Sequence, residues 1–573
     1  MVYKVGENMK KDVKLNLMFL MVPLVLMLVV VVGVTYALFT QDIDTEKTIT
    51  VTTGDKYVGI YGEDRDNIEL NDIYTFNIVN KGNSETGYEI YMENTTAIPL
   101  NKINFTISGD EFNEGTLNAN KILVGNLDVG EEVTINLQLT SDVSGKFVGV
   151  IKARTSDYKV NEPELVDGML AVNFNGTNWV KADVTNLNNE WYDYIEGSWA
   201  NVVTIKDLEK RKEYADAEVG TVVNNDDING FFVWIPRYSY TLYENYGMQM
   251  DGAATPSKET PGAVDIKFVG KNVIDDGKAI YKDVTPDEYY TPVAFCFGDT
   301  CRTSRSDKDN IELSGIWVSK FEISGEDNDL TILPNVESIR ELDVSNFYTL
   351  IKNNLNGEVA NTNYGFVENY DSHMIKNSEW SVVTLLSQSK YGKYGNLKYD
   401  GVNKEVYQNK SDLYNTGCSY GSPSNDNTDY GCENGYGKEP DGIGASTTGT
   451  IYGVYDLSGG AAEYVMSSLA SSILSSNDKS AFTNESLPTL KYYDSYDSVD
   501  VATACNNGKC LGENLLYTKN WYGDKLNFVT EKTPWLVRGG TYKDGTDAGI
   551  FNVDSYDGSA SKEISTRAVI VKW

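Results

Sequence analysis

Asp456 and Glu463 lie seven residues apart in the stretch Gly453-Val454-Tyr455-Asp456-Leu457-Ser458-Gly459-Gly460-Ala461-Ala462-Glu463-Tyr464. Both carry hard carboxylate oxygens. Between them Gly459 and Ala461 have little or no side chain to keep a ligand off their carbonyls. Calcium takes six to eight oxygens from carboxylates, backbone carbonyls and water. A loop ordered Asp-x-x-Gly-x-Ala-x-Glu can fold around such an ion, with Asp456, Gly459, Ala461 and Glu463 as its ligands. The competing reading is a tight turn between two strands.

The same stretch resembles the Gly-x-Tyr-Asp-Met-x-Gly-Asn-x-x-Glu-Trp signature of the formylglycine-generating, sulfatase-modifying family. Two further landmarks follow the family's order. Asn377-Ser378-Glu379-Trp380 is similar to its Thr-Glu-Ala-Glu-Trp helix start, and Val537-Arg538-Gly539-Gly540-Thr541-Tyr542 to its Arg-Gly-Gly-Ser-Tyr strand. Gly315-Ile316-Trp317-Val318-Ser319-Lys320-Phe321-Glu322 looks like the strand in which the family has Lys-Tyr-Glu. The resemblance implies an α+β, C-type-lectin-like fold over residues 206–573 and calcium held by Asp456, Gly459, Ala461 and Glu463. It does not extend to the family's catalysis. Asp544 and Gly549 stand at the positions of the copper-binding cysteines, and one histidine, His373, cannot replace an iron site built from three. His373 is expected to be an ordinary core or loop residue. Ser565-Thr566-Arg567 departs from the usual Gly-Phe-Arg near the family's C-terminus. In lectin-like proteins of this type the segment after Arg-Gly-Gly often forms the ligand surface, which here nominates Tyr542, Lys543, Asp544, Asp547, Phe551, Asn552, Asp554 and Tyr556. Tyr, Asn, Ser, Gly and Asp are the residues of adaptable binding loops. The competing reading is an ordinary solvated loop.

These residues need a frame, and 573 residues are too many for one hydrophobic core. With 49 basic and 83 acidic residues the net charge is −34, so nucleic acid is a poor partner. Residues 17–38 form a nearly unbroken apolar run, long enough to cross a bilayer as a helix. Lys4, Lys10, Lys11 and Lys14 precede it, which predicts residues 1–16 as a cytoplasmic tail and the rest outside. The run also reads as a secretion signal with Thr35-Tyr36-Ala37 as its cleavage site, so both an anchored and a secreted chain are open. Its end, Thr35-Tyr36-Ala37-Leu38-Phe39-Thr40, resembles signals of Gram-positive camelysin-like proteins.

From 42 to 155 apolar residues alternate, as in Tyr74, Phe76 and Ile78 and in Val133, Ile135, Leu137 and Leu139. Seven or eight such strands predict an all-β sandwich, similar to immunoglobulin-like modules of bacterial surface proteins. Residues 156–205 are expected to be a linker and a small β-meander presenting Trp179, Trp191 and Trp199. These rings could stack on sugars or pack against the next domain. The helix candidate at 377–386 has Asn377 as its cap and turns Trp380, Val383 and Leu386 to one face. The cysteines fall in three close pairs, Cys296 with Cys301, Cys418 with Cys432 and Cys505 with Cys510. Local disulfides fit an extracellular chain better than thiolate zinc sites.

The expected fold is thus multidomain: a transmembrane or signal helix, a sandwich, a meander and the α+β head. The expected function is a surface-anchored, calcium-stabilised, non-catalytic binding protein for a glycan or protein. The alternatives are a diverged enzyme of the same family and a surface-layer or pilus-like subunit.

Overall fold

The computed structural model describes residues 51–573 apart from 54–55, 63–69, 81–85, 95–101, 117–120, 142–148, 156–160, 185–190, 195–196, 244–263, 272–280, 283–288, 327–328, 357–363, 367–368, 396–403, 421–429, 433, 439–440 and 505–520. The chain divides into two compact units, residues 1–156 and 157–573.

Among the described residues the first unit has nine strands. Six form one sheet in the order Val51–Thr53, Lys56–Gly62, Ile73–Asn80, Glu132–Thr140, Asn104–Gly109, Asn113–Thr116. Three form a second, in the order Lys121–Leu127, Thr86–Asn94, Gly149–Thr155. The alternation read from sequence sets this arrangement. Tyr74, Phe76 and Ile78 from one strand and Val133, Ile135, Leu137 and Leu139 from its neighbour all enter one core, which the second sheet completes with Tyr88, Ile90 and Leu123. A period of two places every second side chain on one face.

In the second unit a seven-stranded sheet runs Trp179–Lys181, Met169–Phe174, Asn201–Ile205, Ile228–Pro236, Gly315–Ser319, Ala568–Lys572, Tyr370–Met374. Its central strands are buried along their whole length, as the runs Phe231-Phe232-Val233-Trp234-Ile235 and Ile316-Trp317-Val318 require. A second sheet orders Asp494–Tyr496, Ala462–Leu469, Trp535–Gly539, Gly549–Tyr556, and Ile564–Ser565 also pairs with Ala462–Leu469.

Three parts of the expected fold are corrected. The apolar run 17–38 lies outside the described residues, and among the described residues no helix is long and apolar enough to cross a membrane. A transmembrane helix is therefore not carried forward as an element of the fold. The α+β head is instead dominated by strands. Among the described residues its helices longer than four residues are Leu208–Asp216, Val344–Leu355 and Asn377–Ser387. Lastly, the meander is not a separate module. Its strands hydrogen-bond into the seven-stranded sheet through Asn201–Ile205, and Trp179, Trp191 and Trp199 are buried in the common core. A few strands with one apolar face cannot bury that face alone, so they complete a neighbouring sheet.

The helix Asn377–Ser387 is buried on all sides rather than on one face. Its N-cap is Lys376, not Asn377, and the Glu379 carboxylate reaches back to accept the Lys376 N–H at 2.9 Å. Asp494 accepts the Ser378 N–H at 2.8 Å. Disulfides join Cys296 to Cys301 and Cys418 to Cys432; Cys505 and Cys510 lie outside the described residues.

Candidate functional site

The three sequence landmarks meet around Trp380. Its indole N–H donates to Ile550 O at 2.9 Å, and its ring lies between the guanidinium groups of Arg538 and Arg567, 5.5 and 5.4 Å from the centroid. The Gly459 N–H donates to Gly539 O and the Tyr542 N–H to Gly460 O, which joins the Asp456–Glu463 turn to the Arg538-Gly539-Gly540 strand end. Gly459 has φ +73°, and a Cβ there would sit 2.4 Å from Asn409 O. Only glycine allows both the left-handed turn and that approach.

The carboxylates of Asp456 and Glu463 lie in one buried cluster with that of Glu322. Glu322, Asp456 and Glu463 are all at most 2% exposed, and Arg567 is fully buried with them. Their oxygens are already engaged by protein donors. Arg567 donates to Glu463 through Nε, at 2.7 Å, and through Nη2. Asp456 accepts from Asn409 Nδ2 at 2.9 Å and from the Gly417 N–H at 2.8 Å. Glu322 accepts from the Ala461 N–H at 3.2 Å. A calcium ion there would have to displace the guanidinium from both Glu463 oxygens, and among the described residues no group of three or more acidic, histidine or cysteine side chains is disposed to hold a metal. The donor set Asp456, Gly459, Ala461 and Glu463 therefore does not fit a calcium cage in this fold. Arg567 supplies the central positive charge instead.

Three carboxylates share one guanidinium, and burial raises the affinity of each for a proton. Desolvation lifts Asp456 to about 6 against the pull of Asn409 and Arg567, and Glu463 to about 7 against the pull of Arg567. Burial and the charges of Asp456 and Glu463 push Glu322 well above the usual carboxylate range.

Sequence reasoning missed Glu322, Arg567 and Asn409 as members of this site. The Lys320-Phe321-Glu322 strand end and the Ser565-Thr566-Arg567 segment were both legible as family positions. Their meeting with Asp456 was not, because they are far apart in the chain.

From this cluster two loops reach the surface. Asn409 Nδ2 also holds Asn415 O, and Gln408 Nε2 donates to Thr541 O at 3.1 Å. On these loops Tyr414 and Tyr430 each meet the Tyr542 ring edge to face at 5.2 Å. Arg340 lies 3.8 Å over Tyr414, Tyr430 is 45% exposed, and Leu413 beside it is 65% exposed. The disulfide between Cys418 and Cys432 closes the loop that carries Tyr430.

The eight residues nominated for ligand binding divide. Tyr542 belongs to this tyrosine face, with Lys543 5.1 Å over its ring and paired with Glu563; Asp544 accepts from the Thr541 N–H and hydroxyl, and the Asp547 carbonyl accepts the Lys525 N–H. Asp554 is bound to Lys525 at 2.6 Å, and Tyr556 is 40% exposed at the end of its strand. Phe551 and Asn552 are buried, Phe551 4.9 Å from the Trp521 ring and Asn552 donating to Asp547 O. These two are corrected from ligand contacts to core, because the Gly549–Tyr556 strand is buried on both faces from Gly549 to Val553.

Asp544 and Gly549 also bear on catalysis. The side chain of Asp524 fills the space at Gly549: a Cβ there would sit 2.0 Å from Asp524 Oδ2, which accepts the Phe551 N–H at 3.0 Å. A cysteine at 549 has no room. Gly549→Cys should cost about 1–3 kcal/mol of stability, seen as a lower denaturant midpoint; an unchanged midpoint would show that Asp524 moves aside freely.

His373, as expected, is a buried strand residue. Its Nε2 lies 2.8 Å from Glu379 Oε1 and its ring stacks on Phe297 at 5.8 Å. Compared with known proteins, the chain matches no family model and no curated protein.

Proposed function

We propose that residues 157–573 form a non-catalytic recognition module that works outside the cell and holds a protein or glycan ligand on the tyrosine face. The carrying observation is the placement of the exposed Tyr430 and part-exposed Tyr542 rings, with Tyr542 packed edge to face on both Tyr430 and the buried Tyr414, on loops tied to one buried charge cluster. Tyrosine offers a large, amphipathic contact at low entropic cost, and loops ordered in advance lose little freedom on binding. Lys543 and Asp544 supply polar groups at the rim. The Cys296–Cys301 and Cys418–Cys432 disulfides support an oxidising compartment. The engagement of Asp544 by Thr541 and the crowding of Gly549 by Asp524 favour binding over the copper chemistry of the family resembled.

The test is a screen of the purified chain against arrays of glycans and of extracellular proteins, repeated with Tyr430→Ala and Tyr542→Ala. The expected result is a ligand whose affinity falls about tenfold or more in each variant at unchanged thermal midpoint. A ligand indifferent to both substitutions, or none on either array, overturns the reading.

A further inference from the structure

A concave surface lined by other residues lies in the same unit, with Tyr436 packed on Phe321 and Tyr455 behind it. It is a cleft of about 420 Å³. Phe174, Trp179, Phe231 and Tyr436 form its aromatic wall, and Asn178, Asn335 and Lys438 stand among its polar residues. Trp179 is central to the wall, 5.5 Å from the Phe174 ring and 5.8 Å from the Phe231 ring. Its volume is within the range of roughly 300–1,000 Å³ of small-molecule sites.

The Trp179 indole N–H and the Tyr436 hydroxyl face each other and are buried, so the part of the wall open to a ligand is the part-exposed Phe174 and Tyr436 rings. Charge points to the ligand. The chain carries 83 acidic residues, yet no described residue lining the cleft is acidic, and Lys438 stands exposed there with no carboxylate partner among the described residues.

Sugar rings place their C–H faces on aromatic rings and their hydroxyls on carboxamides and indole N–H groups. The carboxamides of Asn178 and Asn335 are of this kind. A lysine with no acidic residue beside it among the described residues of the cleft selects for a negative group on that sugar. We propose that this cleft binds a saccharide carrying a carboxylate, of the uronic-acid class, with its ring against the part-exposed Phe174 and Tyr436 rings and its carboxylate toward Lys438.

The test is saturation-transfer NMR and titration calorimetry on the full chain with methyl β-glucuronide and methyl β-glucoside, which differ in the C6 carboxylate. The glucuronide should bind about tenfold tighter than the glucoside. Lys438→Gln should remove most of that difference and Lys438→Arg should retain it; both leave the thermal midpoint in place because the side chain is exposed. Equal binding of the two glycosides, insensitivity to Lys438→Gln, or no saturation transfer from either at concentrations of the order of 10 mM overturns the proposal. The tyrosine-face reading stands or falls separately, since none of these residues belongs to it.

Discussion

Replacing Arg567 with methionine should destabilise the protein by about 3–5 kcal/mol, the cost of removing one partner from a buried ion pair. Methionine retains much of the volume that packs on Trp380 but leaves Glu463 without its two hydrogen bonds to the guanidinium, and Glu322 and Asp456 without its charge. Denaturant unfolding measures the loss. A second substitution, Glu463→Gln in the Arg567→Met background, removes the charge left behind and should return a large part of it. The coupling in that double-mutant cycle isolates the pair. Arg567→Lys should fall between wild type and methionine, because an ammonium keeps the charge but not the two-pronged contact. If Arg567→Met unfolds at the wild-type midpoint, the cluster is not what holds the turn.

The wild-type protein should be more stable near pH 4.5 than at pH 7.5, by an amount of the order of 3 kcal/mol. Asp456 and Glu463 have folded-state pKa values raised to about 6 and about 7 by burial. Between the ordinary carboxylate range and those values the folded state holds more protons than the unfolded chain. Stability is fully present below the ordinary range and is lost as pH rises through 6 to 7. At the acid end the sign reverses. Burial works against ionisation of Glu379, but His373 and Lys376 hold it at about 2. Its contribution is present above the usual value for a glutamate and is lost as pH falls toward 2. The stability curve should therefore peak between the two windows. Glu463→Gln should flatten the limb between pH 6 and pH 7.5. Adding a chelator at pH 7.5 should shift the thermal midpoint by less than about 2 °C, since Arg567 does the work of a cation. A large fall with chelator, restored by calcium, would reinstate an oxygen cage at Asp456 and Glu463.

The three landmarks at 377–380, 453–464 and 537–542 were visible in the chain, and they do assemble around Trp380. Their function within the assembly was not visible. Glu463 reads in sequence as a free carboxylate, and a carboxylate suits calcium and arginine alike. The choice is made by Arg567, 104 residues away in sequence and in bidentate contact in space. The same limit applies to the nominated ligand loop. Its composition is that of a binding segment, yet part of it is a sheet strand covered on both faces, which buries Phe551 and Asn552 while Tyr542 stays part-exposed. Tyr414 and Tyr430 had no marker at all, because a tyrosine is singled out only by what it stacks on.

The sequence by itself determined the first unit's pattern of buried and exposed strand residues, since a period of two admits one pleated solution. It also determined the close cysteine pairs at 296 and 301 and at 418 and 432, whose short separations favour local closure. Tertiary structure alone decided that Trp179 would line a cleft rather than a free meander, and that the positive charge among three acids would be a guanidinium. Both outcomes depend on strands brought together from distant parts of the chain, and neither burial nor electrostatic partnership is a property of a residue until that meeting has happened.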